Sequence, residues 1–176
     1  MTPPLTLRRA LPADVPTILR FIRALAEYER LLHRVSADES RLRESLFGPQ
    51  PAAEVVLAER AGEPVGFALW FHTYSTFLAR RGLYLEDLFV LPAARGQGVG
   101  RALLAWLARL AVERDCGRFE WSVLDWNEPA IRFYEGLGAE WQRDWRLFRL
   151  YGPALEQLAA SAEPLPAAAL QAGSVR

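Results

Sequence analysis

One segment of this chain limits the possible folds more than any other. It is a strand that ends at a proline and is followed by a glycine-rich loop and a long helix. Residues 83–90 have the apolar composition of a strand, Pro92 ends it, and Arg95-Gly96-Gln97-Gly98-Val99-Gly100 precedes an amphipathic helix. Such a loop presents backbone N–H groups at the positive end of a helix dipole, and its glycines let an anion approach them. The segment therefore predicts a phosphate-binding site on an α/β scaffold.

Two other nucleotide-binding motifs do not fit this loop. A Walker loop needs Gly-Lys-Ser/Thr, whereas Gly100 is followed by Arg101-Ala102. A Rossmann fingerprint needs an acidic residue at the end of the next strand, and that strand ends in Ser122-Val123-Leu124. Two predicted helices also precede the loop where a Rossmann unit would begin.

The order of predicted elements is strand, two helices, three strands, helix, strand, helix and two final strands at 139–142 and 146–151. Asp14 is a candidate cap for the first helix, and Ser36 with Glu39 forms a capping box for the second. This alternation indicates an α/β fold with a mixed central sheet of about six to seven strands and helices on both faces. We expect residues 1–160 to form a single domain and residues 161–176 to form an Ala/Pro-rich tail.

Charge and composition exclude several classes of protein. The 21 basic and 21 acidic side chains cancel, so the chain lacks the basic excess typical of nucleic-acid binders. No apolar stretch approaches the length of a membrane span, and the N-terminus has no signal-peptide layout. The single cysteine, Cys116, cannot form an internal disulfide. These features predict a cytoplasmic protein that binds neither nucleic acid nor membrane.

The glycine-rich run Arg95–Gly100 resembles the pyrophosphate-binding motif R/Q-x-x-G-x-G/A of the GNAT N-acetyltransferases, and the run 127–138, NEPAIRFYEGLG, is similar to that family's second signature. Four further runs resemble its diamine branch, which includes the spermidine/spermine and thialysine acetyltransferases: Leu25-Ala26-Glu27-Tyr28-Glu29, Tyr84-Leu85-Glu86-Asp87, residues 121–127 and Trp145-Arg146-Leu147-Phe148. The resemblance covers roughly residues 5–160.

This resemblance implies a GNAT-like fold, acetyl-CoA as cosubstrate and no metal. It also implies transfer of the acetyl group to a primary amine of a small cationic acceptor, such as a polyamine, a diamine or a thialysine-like molecule. The amine would attack directly in a ternary complex, and the protein would be a homodimer.

The chemistry requires a base and an acid, because a lysine-like amine with a pKa of about 10.4 is mostly protonated at neutral pH. Glu86 is the candidate base, acting directly or through a water, although it could instead be a solvated strand carboxylate. Tyr134 is the candidate acid for the departing thiolate, although it could instead be a core tyrosine beside Phe133.

The resemblance assigns acetyl-CoA binding to Leu88, Phe89, Val90, Arg95, Gly96, Gln97, Gly98, Val99, Gly100, Arg101, Asn127, Pro129, Ala130 and Tyr134. A backbone N–H from residues 88–90 would hold the thioester carbonyl, where the family's strand splays from its neighbour at a bulge. Asn127 could also cap its helix.

The resemblance places the acceptor amine against Tyr28, Glu29, Glu86, Asp87 and Trp145. Several carboxylates facing one groove would hold a chain with two or more positive charges, although Glu29 and Asp87 could also be ordinary surface acids. A tryptophan such as Trp145 is also common in cores and interfaces. Phe77 stands where polyamine-specific members of the branch have tryptophan, so selection for substrate length can differ.

The remaining reactive side chains do not form a predicted site. Cys116 has no histidine near it in sequence, which favours a structural thiol over a covalent acetyl-cysteine. His33 and His72 have no metal-ligand spacing.

Two other functions remain open from the sequence. One is acetylation of peptide N-termini or protein lysines, which needs an open groove for peptide backbone. The other is a catalytically silent acyl-CoA-binding module, against which the presence of both Glu86 and Tyr134 argues.

Overall fold

The computed structural model describes residues 3–163, which form five strands and five helices. Their bounds are β1 Leu5–Arg9, α1 Val15–Tyr28, α2 Glu39–Phe47, β2 Glu54–Arg60, β3 Glu63–Ser75, β4 Arg80–Val90, α3 Val99–Glu113, β5 Arg118–Trp121, α4 Glu128–Glu135 and α5 Gly152–Ala160.

The chain divides into two compact units, Met1–Ile131 and Arg132–Arg176. The single domain over residues 1–160 stays a prediction. Most of the predicted tail, residues 164–176, lies outside the described residues. Within the described part, no helix has both the length and the apolar character needed to cross a bilayer.

The strands of the first unit form one sheet in the order β1-β2-β3-β4-β5. Strands β1 to β4 pair with one another in antiparallel orientation, whereas β5 runs parallel to β4. The parallel pair follows from α3, which carries the chain back along the sheet between β4 and β5. The sheet is therefore mixed, as the alternation of strands and helices predicted.

One face of the sheet packs against α1 and α2. The ring of Phe21 on α1 lies 5.5 Å from that of Phe67 on β3 and 5.9 Å from that of Phe89 on β4. Leu42 and Leu46 of α2 belong to the same buried cluster. Full burial of one such side chain contributes about 1.5–3 kcal/mol, so this core fixes α1 against β3 and β4.

The opposite face packs against α3. Val99, Leu103 and Leu107 recur at helical spacing and are almost fully buried. On the sheet, Trp70 is fully buried and meets Trp106 of α3 edge to face at 5.4 Å. Helices thus cover both faces, and the N-terminus of α3 lies directly after β4 in the chain.

The number of strands is lower than predicted, because neither 139–142 nor 146–151 is a strand. Both segments lie in the second unit, where no strand of the described chain pairs with them. Trp141, Trp145 and Phe148 are 73%, 76% and 89% exposed. β-forming residues favour an extended segment, but a strand also needs a neighbouring strand to accept its hydrogen bonds.

The predicted N-cap residue is wrong for α2 and in the predicted position for α1. Asp38, not Ser36, caps α2, because its Oδ1 accepts a hydrogen bond of 2.8 Å from the Arg41 N–H. Asp14 is the N-cap residue of α1, as predicted, but its carboxylate makes no cap hydrogen bond; it accepts from the Leu11 N–H at 2.7 Å and pairs with Arg8. The Asp14 side chain therefore connects the start of α1 with strand β1.

Candidate active site

Glu86 lies at a β-bulge in the middle of β4. The pairing with β3 shifts there from Leu85 opposite Trp70 to Asp87 opposite Leu69, which leaves Glu86 without an opposite residue. A bulge adds one residue to a strand and redirects the side chains around it. Consequently two consecutive acidic side chains differ in burial, with Glu86 exposed and Asp87 half-buried.

A third carboxylate, from the end of α1, interacts with these two. Burial, together with the negative charges of Glu86 and Glu29, raises the pKa of Asp87 to about 7. Burial also raises the pKa of Glu29. Because like charges disfavour each other's ionisation, this group favours any cation that enters it. We call Glu29, Glu86 and Asp87 the acidic group.

The end of α1 is fixed by hydrogen bonds that follow the last helical turn. The Arg30 N–H donates to the Glu27 carbonyl at 3.0 Å, and the Leu31 N–H donates to the Ala26 carbonyl at 2.7 Å. This is the Schellman pattern, with Arg30 at a φ of 61° where glycine is usual. The motif holds Tyr28 and Glu29 at a defined helix end.

Strand β4 separates from β5 immediately before the bulge. The parallel pairing ends at Leu85 with Trp121, so residues 86–90 extend beyond it. The Leu91 N–H donates to the Val65 carbonyl on β3, and successive residues alternate direction, so the N–H groups of Leu88 and Val90 point to the β5 side. The family resemblance implies a bulge near residues 88–90, whereas the structure has it at Glu86, with the splay beyond it.

The glycine-rich loop leaves open space at the start of α3. Gly96 and Gly98 have φ values of 70° and 80°, and a Cβ on either would meet no atom within 4 Å. Gly98 is the N-cap of α3, and its carbonyl accepts the first helical bond, from the Ala102 N–H at 2.9 Å. The N–H groups of residues 99–101, in the first turn of α3, have no carbonyl partner within the helix, which fits a phosphate group.

Hydrogen bonds from three side chains stabilise this loop. The Arg95 Nε–H donates to the Val90 carbonyl at 3.0 Å, and the Gln97 amide donates to the Ala93 carbonyl at 2.8 Å. Arg60, at the end of β2, donates to the Gln97 carbonyl at 3.2 Å. Arg60 is not among the predicted site residues. No local pattern singles it out, because the contact joins residues 37 positions apart.

Tyr28 contacts residues that were assigned to acetyl-CoA. The Arg95 guanidinium lies 4.8 Å from the centre of its ring, and its hydroxyl donates to Asn127 Oδ1 at 3.2 Å. The Trp126 ring lies 5.9 Å away. The placement of Tyr28 with the acceptor amine stays a prediction, and its two contacts here are with residues that the resemblance assigns to acetyl-CoA.

Asn127 opens α4 as predicted. Its backbone carbonyl accepts from the N–H groups of Ala130 and Ile131, both at 3.0 Å. Pro129 and Ala130 therefore occupy the first turn of α4, where proline needs no hydrogen-bond donor. The side-chain oxygen of Asn127 meanwhile binds Tyr28.

The second unit contains Tyr134 and Trp145. Tyr134 lies in the last turn of α4, where its ring packs 5.4 Å from that of Phe133 and its carbonyl accepts from the Leu137 N–H at 3.0 Å. Trp145 lies in the exposed segment that precedes α5. The roles proposed for both side chains stay predictions.

A histidine that is remote in sequence lies beside Cys116. His72 Nδ1 is 3.9 Å from the thiol sulfur, and Arg114 bridges His72 Nε2 at 2.8 Å and the Glu54 carboxylate. Burial raises the pKa of the Cys116 thiol. A thiol held in its neutral form is a poor nucleophile, which supports the structural role. Residues 3–163 contain no group of three or more side chains that could hold a metal ion.

Comparisons with known proteins agree on one family. The protein-family model described as "Acetyltransferase (GNAT) family" matches residues 21–139. A thialysine N-epsilon-acetyltransferase of Mus musculus is 38% identical over 164 residues, which cover 87% of this chain and 96% of that protein. An L-ornithine N5-acetyltransferase of Arabidopsis thaliana is 35% identical over 197 residues, covering 86% of each chain.

Solved structures agree on the fold. An integron cassette protein of V. cholerae superposes with a TM-score of 0.75 at 26% identity, covering 89% of this chain and 98% of that one. An aminoglycoside acetyltransferase from an uncultured soil metagenomic sample has a TM-score of 0.70 at 20% identity, covering 84% and 97%. This second likeness supports the fold alone.

Proposed function

Because this chain belongs to the GNAT family of acetyltransferases and is an N-acetyltransferase, we propose that it moves an acetyl group from acetyl-CoA to a small cationic amine. The acceptor is a polyamine, a diamine or a thialysine-like molecule, and its amine attacks directly in a ternary complex. The names of the relatives, which specify thialysine and L-ornithine, support an acceptor of this class.

The acidic group is the observation that carries this proposal. Its members lie close enough that Glu29 and Glu86 raise the pKa of Asp87, so a bound cation would relieve their repulsion. A second positive charge on the acceptor supplies that relief while its other amine reacts. A neutral acceptor gains nothing from this arrangement.

The proton steps fall to two side chains. Glu86, exposed at the bulge, takes a proton from the ammonium group, directly or through a water. The freed amine then forms a bond to the acetyl carbon as the bond from that carbon to sulfur breaks, and the nitrogen releases its second proton to solvent. Tyr134 gives its proton to the departing thiolate, a role that rests on the family resemblance alone.

Acetyl-CoA binding uses two parts of the first unit. The N–H groups of Leu88 and Val90 are the candidates to hold the thioester carbonyl and the adjoining amide chain. Residues 95–101 take the phosphates at the N-terminus of α3, with Gly96 and Gly98 leaving space for them. The acetyl group, once bound, supplies the electrophile.

The proposal also includes a homodimer. Exposed aromatic and aliphatic side chains alternate with charged ones between 141 and 151, and a second copy would cover the apolar ones. The cytoplasmic location stays a prediction from the sequence.

The acceptor class is tested by comparing kcat/KM for a diamine and for a monoamine of equal length. We expect the diamine to be favoured about 3- to 30-fold at low salt, because each exposed charge pair is worth only about 0.2–1 kcal/mol and several act together. The preference should shrink at high salt. It should also shrink in Glu29→Gln.

Glu27→Gln is the matched control, since Glu27 is exposed on the same turn of α1 and is outside the acidic group. It should leave the diamine preference intact. Equal efficiency for both amines, insensitive to salt and to Glu29→Gln, would refute the cationic acceptor. A faster reaction with a lysine-containing peptide than with any small amine would instead identify a peptide acetyltransferase.

A further inference from the structure

The contacts of Tyr28 are at odds with a side chain that lies against the acceptor. Its ring faces the Arg95 guanidinium at 4.8 Å, and its hydroxyl reaches Asn127 Oδ1 at 3.2 Å. Both partners flank the proposed acetyl-CoA site, Arg95 at the start of the glycine-rich loop and Asn127 at the start of α4. Tyr28 is the side chain that touches both.

Arg95 needs such support because its side chain is long and exposed. Its Nε donates to the Val90 carbonyl, and its guanidinium also lies 5.6 Å from the Phe89 ring. An arginine held between two aromatic faces loses its rotamer freedom before a ligand arrives. Ordering in advance lowers the entropy lost on binding an anion.

Asn127 gains orientation in the same way. An asparagine amide presents an acceptor oxygen and a donor nitrogen, and a partner on one of them fixes the direction of the other. The Tyr28 hydroxyl occupies the oxygen, so the amide nitrogen is left to donate elsewhere. The Schellman end of α1 gives Tyr28 the fixed position that this requires.

We propose that Tyr28 is a positioning residue for acetyl-CoA, which acts by holding Arg95 and Asn127 ready, and that it does not bind the acceptor amine. The inference rests on the proposed function, since it takes the loop and the start of α4 as the cosubstrate site. Glu29, the next residue, belongs to the acidic group. The end of α1 thus serves both substrates through adjacent side chains.

The test measures the Kd for CoA by calorimetry, together with KM for acetyl-CoA and for spermidine. Tyr28→Leu removes both contacts and should raise the Kd for CoA about 5- to 10-fold, as expected for one cation–π contact and one hydrogen bond. Tyr28→Phe keeps the ring over Arg95 and should raise it only about 2-fold. The KM for acetyl-CoA should follow the Kd, while the KM for spermidine changes less than about 2-fold.

Tyr74→Leu is the matched control, because Tyr74 is 62% exposed on β3, opposite Arg81, and should leave both constants unchanged. A raised KM for spermidine with an unchanged Kd for CoA would place Tyr28 with the acceptor and overturn the inference. So would unchanged constants, or a fall in thermal stability that accompanies equal losses for both substrates. If the wild-type protein fails to bind CoA, the proposed function itself is refuted, and this inference falls with it.

Discussion

Asp87 gives the sharpest test of the electrostatics, because its burial beside two other carboxylates couples its ionisation to folding. Its pKa rises from the usual 3.8 to about 7, first through burial and then through Glu86 and Glu29. Between these two values the folded protein keeps a proton on Asp87 that the unfolded chain has released. The free energy of unfolding therefore falls as pH rises through this range.

The size of the effect follows from the two pKa values. Integrating the linkage relation from pH 5 to pH 8 with 3.8 for the unfolded chain and about 7 for the folded protein gives a loss of about 2.5 kcal/mol. The contribution is fully present below about pH 4 and is lost once the pH has passed 7. Asp87→Asn, which resembles the protonated carboxyl but cannot ionise, should lack this loss.

The assay is urea unfolding at pH 5 and pH 8, followed by the fluorescence of the six tryptophans. Between these pH values the wild type should lose about 2.5 kcal/mol more than Asp87→Asn. Asp125→Asn, the same change at an exposed carboxylate, should lose as much as the wild type. If the Asp87 variant and the wild type show the same pH dependence, Asp87 is not held protonated, and the acidic group is an ordinary surface.

Three further outcomes are expected. Tyr134→Phe should lower kcat about 10- to 100-fold, because it removes the proton of the general acid, while the Kd for CoA stays constant; turnover at the wild-type rate would leave Tyr134 as a packing residue. Gly98→Glu should weaken CoA binding by about 10-fold or more in calorimetry, because a φ of 80° strains the new residue and its charge repels phosphate. Gly62→Glu, with the same φ and equally open space in the β2–β3 turn, is its control, and equal binding by the two variants would reject the phosphate loop. Sedimentation should give a dimer at micromolar concentration, and a stable monomer would contradict the proposed assembly.

The parts of the molecule that the sequence predicted well are those set by neighbours in the chain. The proline stop after β4, the glycines of the loop and the apolar face of α3 are local patterns, and the structure reproduces all three. The same holds for the start of α4 at Asn127. Each depends on backbone conformation or on helical periodicity, which a few consecutive residues determine.

Local patterns were less reliable where two equivalent signals competed. Ser36 and Asp38 are both good capping residues, and only the geometry of α2 selects Asp38. Likewise 139–142 and 146–151 are rich in β-forming residues, yet no strand of the described chain pairs with them. Composition favours an extended segment, but it does not supply the partner strand.

The sequence by itself determined the mixed α/β fold, the position of the glycine-rich loop and the presence of acidic residues at 29, 86 and 87. Only the tertiary structure decided how these residues meet. The bulge at Glu86 depends on the register between β3 and β4, and the approach of Glu29 depends on how α1 packs on the sheet. The contact of Tyr28 with Asn127 spans 99 positions. Register and packing depend on the whole core. The long-range contacts of a side chain follow from burial and shape complementarity, not from its neighbours in the chain.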